Sequence, residues 1–533
     1  MKKIILALVV LSMGTSLMAQ TELDALKYIQ PDINGTARYI GMAGAFGALG
    51  GDASAIKDNP AGLGIYRKSE IVGTLNAMLQ NSTSNWQFKN AGEMKNSYGY
   101  GDSYKNGMTN FSVVLAAPTL KSENGNGGLL SSNWSFSFDR LKTFNRSISI
   151  KSGASNSSIT DFMGYFSNGL PITDLAGDND PNGNAYNMTT VPWLSVLAFK
   201  GYLMNPLSGN NWESFLETQK STATPSFDMV ESGNINEYSL SWAGNFSNLF
   251  YLGTSLNYKT INYSLTSHYT ENYTGTNHMQ LNNTILSTGG AINLNIGAIV
   301  RPTDFLRFGL SLHLPTVYQL NDKYESSLDY NVKYTDDKNI TTVKSGTEST
   351  PTDGYNDYQI QGPLQINLSA AFIIGKKGLV STEYNFSNYT GTRLLDKDGN
   401  AQSYNNENQR MNEMFNNVQT IKIGGEYKLT DNFSLRAGYA NMSNATKDDA
   451  QKIMYESTIR TDTEYFLHNG TNYITAGFGY REASWFLDFG YMHKIVDETF
   501  MPYRNVMTGD FAVNPASVLT YTNNAFVTLG FKF

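Results

Sequence analysis

Cysteine is absent from all 533 residues, which leaves no disulfide framework and no thiolate chemistry. Histidine is scarce. His268, His278, His313, His468 and His493 are scattered and none is spaced as a metal pair. Charged residues make up 16% of the chain, the net charge is −7, and no basic cluster occurs. Nucleic acid is therefore not an expected partner. No G-x-S-x-G stretch marks a nucleophilic serine, so nothing recommends an enzyme. Glycines at 41, 44, 47 and 50 are not a dinucleotide fingerprint, because no buried strand precedes them. No metal, nucleotide or redox motif is present, and no cofactor is expected. Beyond the N-terminus, no apolar run reaches the ~18 residues of a membrane helix.

The N-terminus itself is apolar. MKKIILALVVLSMGTSLMAQ carries Lys2 and Lys3, then Ile4 to Leu11, then Ala19-Gln20. That order is a secretory signal at residues 1–19, too short and wrongly flanked to span a bilayer. Leu17 is larger than usual for the third position before a cut after Ala19. No cysteine follows, so lipid anchoring is excluded.

Aromatics and glycine are plentiful, with 33 Tyr, 28 Phe and 48 Gly. From about residue 70 the hydrophobic period is two. In RPTDFLRFGLSLHL, Leu306, Phe308, Leu310, Leu312 and Leu314 oppose Arg307, Gly309, Ser311 and His313. AINLNIGAIV and QINLSAAFII repeat the pattern, as does Trp485-Leu487-Phe489-Tyr491. Each strand thus has one apolar and one wetter side.

A soluble sandwich would turn the apolar side inward, whereas a transmembrane barrel turns it to lipid. The connections separate the two. Short turns at 247–251, 301–304, 375–378, 430–432 and 481–484 alternate with long polar stretches. This succession fits short periplasmic turns and long extracellular loops. The expected fold is all-β, a transmembrane antiparallel barrel of fourteen strands. They lie near 71–79, 109–118, 132–141, 236–246, 251–265, 289–301, 304–316, 363–375, 378–390, 418–429, 432–442, 471–481, 484–494 and 524–533. In the fifth, the apolar register changes between Tyr258 and Ile261, and a β-bulge near Thr260 would explain it.

NNAFVTLGFKF ends the chain with Ala525, Val527, Leu529, Phe531 and Phe533 on one face. It resembles the terminal-strand signal read by the outer-membrane assembly machinery, which makes that machinery an expected partner of Phe533. The bacterial outer membrane, with its lipids and lipopolysaccharide, is the expected location.

Residues 20–69 precede the first strand and are too irregular to join the wall. Irregular backbone at membrane depth is tolerated only inside the barrel or below it, so these residues read as a plug. The stretch RYIGMAGAFGALGGDASAIKDNPAGLGIYRKSE resembles the N-terminal hatch of the FadL family of hydrophobic-compound transporters. The matching features are the small-residue run, Asp52 before Ala-Ser, and Asn59-Pro60-Ala61. The likeness continues weakly to Phe533, and the Asn-rich loops look like a Bacteroidetes relative. The resemblance implies a fourteen-stranded barrel, 70–533, plugged by the hatch. Its implied function is passive uptake of long-chain fatty acids, or of aromatic hydrocarbons or haem, by a monomer. Asn59, Pro60 and Ala61 would be the structural pivot of the hatch and Asp52 its hydrogen-bonding anchor.

Two stretches depart from or refine that pattern. The connection 142–235 is long, and its VPWLSVLAFKGYLM is unusually apolar for an extracellular loop. Trp193, Leu197, Phe199 and Tyr202 would either form a capture surface for a greasy solute or pack the loop onto the barrel rim. In FSFDRLKTFNRS, Asp139-Arg140 interrupts the alternating face of the third strand. A charged pair facing lipid is costly, so a kink or an inward-facing gap is expected there. The resemblance would make that gap a sideways exit into the bilayer. The competing readings are a general porin, which needs an open lumen, and a structural or adhesive barrel, which needs no plug.

Overall fold

The computed structural model describes residues 22–90, 93–119, 128–335, 341–352, 354–455 and 458–533. The expected secretory signal and cleavage site at residues 1–20 lie outside the described residues. Among the described residues no helix is long and apolar enough to cross a membrane. The chain crosses with strands instead.

The wall begins with β1 (Glu70–Asn90), β2 (Glu93–Leu115), β3 (Leu129–Thr143) continued by β4 (Arg146–Lys151), β5 (Thr224–Phe246), β6 (Phe250–Asn272) and β7 (His278–Thr303). Two positions are broken strands: Leu306–His313 runs on into Val317–Thr335, and Gly354–Gln361 into Gln365–Ile374. Pro315 and Pro363 stand in the breaks, where a residue without an N–H cannot serve the ladder. Gly378–Ser387, Val418–Lys428, Phe433–Met442, Tyr465–Arg481, Trp485–Met501 and Ala516–Lys532 complete the fourteen positions. Each pairs antiparallel with its neighbours, and the last strand closes on the first through Ile71–Phe531 and Leu75–Val527.

The strands are longer than their alternation suggests. Residues 80–90 and 93–108, which pair with each other, and the hairpin 266–288, all read from sequence as loops, carry the wall above the membrane. The bulge near Thr260 does not exist. Thr260 pairs with Asn236 and with Gly290 in unbroken register. What changes is the environment. Leu252 and Leu256 point outward and are 48% and 51% exposed, while Ile261 and Leu265 point inward and are 3% and 6% exposed. β5 and β7 invert at the same height, from outward Leu240 and Ile296 to inward Phe227 and Leu281. Below the inversion the wall faces lipid; above it, the apolar residues turn to a core inside the barrel.

Two kinds of interior follow. In the lower half the N-terminal segment fills the lumen, with helix α2 (Ala37–Gly41) and short 3-10 turns at Ala53–Ile56 and Pro60–Ile65. Its apolar contacts form small clusters against the wall. In the upper half one large cluster joins helix α1 (Asp24–Ile29), the inner faces of the extended strands and the extracellular connections. The longest connection supplies α3 (Ile159–Ser167), α4 (Ile172–Ala176), α5 (Trp193–Lys200) and α6 (Phe215–Gln219). Another supplies α7 (Asn405–Met414). Together they roof the barrel.

Candidate functional site

The N-terminal segment is held by caps at its turns. Thr36 caps α2, and its hydroxyl donates to Asp52 Oδ1 at 2.7 Å. The same oxygen accepts from the Ser54 N–H at 3.1 Å, so Asp52 caps the 53–56 turn and ties it to α2. Asn59 caps the 60–65 turn by accepting from the Ala61 N–H at 3.1 Å. Its amide donates to Gly47 O at 2.7 Å and, across to the wall, to Ala298 O at 3.2 Å. Pro60 opens that turn, where its missing N–H costs nothing. Ala61 is fully buried against Tyr251 and Ile299.

Seating these residues needs wall positions without side chains. A Cβ on Gly297 would stand 2.0 Å from Asn59 Oδ1, and one on Gly253 2.5 Å from the Pro60 carbonyl carbon. Both glycines point inward, and sequence reading passed over them. The available signal was glycine on the polar side of an alternating strand. A buried ion-pair set completes the seat. Arg38 Nε donates to Glu426 Oε2 at 2.9 Å, Arg436 Nε to the same oxygen at 2.6 Å, and Arg436 also reaches Asp488 Oδ1 at 2.6 Å.

The third strand is irregular near Asp139 and Arg140. The pairing of β3 shifts register against β5 between Arg140 and Lys142. β2 pairs with β3 only over Asn110–Leu115, ending at Asp139. Above that point β4 lies inside the β1–β2 hairpin. The Ser82 and Ser84 hydroxyls donate to the Ser147 and Ser149 carbonyls at 2.7 and 2.8 Å. Asp139 turns inward, 1% exposed, accepting from Asn110 Nδ2 at 2.9 Å, and Arg140 donates to Asn236 Oδ1 at 3.2 Å.

The apolar loop residues require a correction. Trp193 and Leu197 are buried in the upper core, and Phe199 packs against it in T-shaped contact with Trp212. They hold the roof together and offer no surface to a solute. Tyr202 is 44% exposed. The physical reason is that α5 is apolar on nearly all sides, and a helix without a polar face is buried.

Between roof and lower hatch lie two cavities. The upper, of about 210 Å³, is lined by α1, by Phe144, Met229, Leu265 and Phe466, and by several ionic groups. The lower, of about 130 Å³, is lined by Ile33, Tyr39, Lys259, His313 and Lys422 among others. The hatch residues common to both are Gln30, Pro31 and Asp32; the common wall residues are Lys142 and Met442. Most charges here are paired: Arg146 with Glu231 at 2.7 Å, Lys452 with Asp462 at 2.7 Å, Arg460 with Asp24 at 2.7 Å, and Lys494 with Asp32. Burial opposes ionisation of Asp24, but Arg460 and Lys27 hold its carboxyl well below the usual range. Asp32 is likewise held low against burial by Lys494 and Lys142. Lys142 differs from the other cations. Its ammonium donates to Lys27 O at 2.9 Å, and among the described residues no carboxylate pairs with it. Gln30 Nε2 is buried and has no hydrogen-bond partner among the described residues. Sequence reading missed Gln30, Asp32, Lys142 and Lys494; a polar residue gives no local sign of facing a lumen.

Residues 230–507, more than half of the chain, match the family described as outer membrane protein transport protein (OMPP1/FadL/TodX). No curated protein matches the sequence. Among solved structures, a FadL homologue of Pseudomonas aeruginosa is similar at 12% identity and a TM-score of 0.49, covering 95% of this chain and 99% of that one. The Pseudomonas putida toluene transporter TodX is similar at 11% identity and 0.45, covering 94% and 99%. The Ralstonia pickettii toluene transporter TbuX is similar at 11% and 0.44, covering 94% and 99%. The sequence match over 230–507, on a chain folded as a closed, plugged barrel, makes this protein a member of the outer membrane protein transport protein (OMPP1/FadL/TodX) family, a transport protein rather than an enzyme.

Proposed function

We propose that this barrel takes up hydrophobic compounds passively across the outer membrane, with long-chain fatty acids as its main solute and the hatch as its gate. The observation that carries the reading is the upper cavity. It sets apolar side chains among paired charges and adds an ammonium in no ion pair among the described residues, Lys142, together with the amide of Gln30, which has no hydrogen-bond partner there. A fatty acid offers the complement, a tail for Leu26, Phe144, Met229 and Leu265 and a carboxylate for Lys142. Aromatic hydrocarbons carry no such charge, and they stand with haem as competing ligands.

In this reading the mature chain begins at Gln20, and Asn59, Pro60 and Ala61 form the pivot on which the hatch shifts, with Asp52 as its anchor. The solute leaves sideways near Asp139-Arg140. The loss of β2–β3 pairing above Asn110 supports an opening there. Capture at the surface falls to exposed roof residues such as Tyr202, over a scaffold of Trp193, Leu197 and Phe199.

The test is labelled oleate uptake in cells that lack their own fatty-acid porin, comparing the intact protein with Pro60→Ala. Folding of both is checked by heat-modifiable migration. Uptake restored by the intact protein and reduced in the variant is the expected result. No oleate uptake from a folded barrel overturns the fatty-acid reading, and haem is then the next probe. High single-channel conductance without ligand would point to a general porin.

A further inference from the structure

The two cavities are separated by three residues, and the contacts holding those residues are ionic. Gln30, Pro31 and Asp32 face both chambers. The Asp32 N–H donates to the Leu141 carbonyl at 3.2 Å, inside the register shift of β3. The Asp32 carboxylate pairs with Lys494 and accepts from Tyr473 at 3.4 Å. Lys142, next along β3, holds the carbonyl of Lys27 on the other side of the same segment. Four wall residues, two on β3 and one on each of two strands far along the chain, thus hold one short stretch of hatch. Their grip is open to competition. The Asp32 and Lys494 side chains are 22% and 16% exposed, toward the cavities they line.

We propose that Gln30–Asp32 is a septum closed by the Asp32–Lys494 pair and by Lys142, and that an anionic head group entering the upper chamber opens it by taking those two ammonium groups from Asp32 and from the Lys27 carbonyl. This rests on the transport reading above and deepens it, by assigning the selection of anionic over neutral amphiphiles to named residues. Exchanging one carboxylate for another at Lys494 keeps the Coulomb attraction there, and the pairing gained by Lys142 offsets the charge left on the released Asp32, so the exchange lies near balance. A neutral molecule with the same tail has no differential interaction with the closed and open septum. However tightly it binds, it shifts nothing.

The absence of cysteine makes the test clean. Ser387 lines the lower chamber and not the upper, and Ser387→Cys places a single near-isosteric thiol there. Purified barrel carrying this change is treated with iodoacetamide alone, with laurate and with dodecanol, and retention of radiolabelled laurate is measured in parallel. Laurate is expected to speed labelling by about tenfold or more, since a switch between largely closed and largely open spans a far larger range. Dodecanol should leave the rate unchanged. In the double variant with Asp32→Asn, labelling should be fast without either compound. Laurate that binds but does not speed labelling, or acts no differently from dodecanol, overturns the septum and leaves the transport reading intact. A folded barrel that binds no laurate overturns both. The comparison of the two compounds stands on the single variant, even if Asp32→Asn does not fold.

Discussion

The lower and upper halves of this barrel share their strands, and β5, β6 and β7 run through both in unbroken register, yet their chemistry is inverted. Along β6, Leu252 and Leu256 face outward to lipid, while Ile261 and Leu265, a few residues on, face inward to a core. The lower half is a membrane protein: apolar outside, with glycine, serine, asparagine and ion pairs inside. The upper half resembles a soluble domain, with its greasy residues buried under helices α3 to α7. The pleat has no say in which side is oily. The surroundings decide, because apolar side chains leave water for whichever dry phase is at hand, lipid below and packed loops above.

The largest effect expected from breaking this arrangement is in the upper core. Trp193→Ala should destabilise the roof by about 3–5 kcal/mol, the usual cost of emptying a buried aromatic site. Limited proteolysis within residues 152–223 should accelerate strongly, while heat-modifiable migration of the barrel persists. Loss of the folded barrel itself would show that the two halves are one cooperative unit. In the lower half, Leu256→Arg puts a charge on the lipid band, at a cost of about 2–4 kcal/mol near the midplane. Thr266→Arg, on the same outward face above the inversion, should cost far less. Urea titrations of the two variants refolded into bilayers check the contrast, and equal losses would mean that the bilayer reaches higher than the inversion. At the hatch seat, Asn59→Ala removes a cap worth about 1 kcal/mol. A modest rise in ligand-free conductance is expected, and an unchanged trace would show that the cap does not govern closure.

The smallest effect is a pH dependence. Glu22 sits beside Arg410 and Tyr455, with Nε of Arg410 at 2.8 Å. Burial outweighs these partners and raises its carboxyl from 4.5 to about 7. The docked state therefore keeps a proton that the undocked state gives up from about pH 4.5. Docking of α1 is fully favoured below that pH and weakens up to about pH 7. Hydrogen exchange of residues 22–29, corrected for intrinsic rates, should be slower at pH 5 than at pH 8. The reverse order would remove Glu22 from the account.

Much of this was legible in the chain before folding. The two-residue period, the turn spacing and the aromatic terminus suffice for fourteen strands, because a lipid-facing wall demands strict alternation. Asp52 and Asn59-Pro60 announce capped turns, since short polar side chains before a turn satisfy its free N–H groups locally. Asp139-Arg140 marks the irregular strand because a charge pair interrupts an oily face. The rest was hidden for identifiable reasons. The step at Thr260 reads as a bulge because an inverted environment and a shifted register leave the same trace in a sequence. For Trp193 and Leu197 a capture surface and a packed rim both stay open, because apolarity does not say which neighbour covers it.

By itself, then, the sequence determined the strands, their number, and the capped turns of the hatch, all of which rest on neighbours within a few residues. Only the tertiary structure decided what the inward faces meet. Gly253 and Gly297 receive Asn59-Pro60, and Lys142, Lys494 and Asp32 converge on one point between two cavities. Those residues lie up to hundreds of positions apart. Closure of the barrel, which no local pattern encodes, is what brings them together.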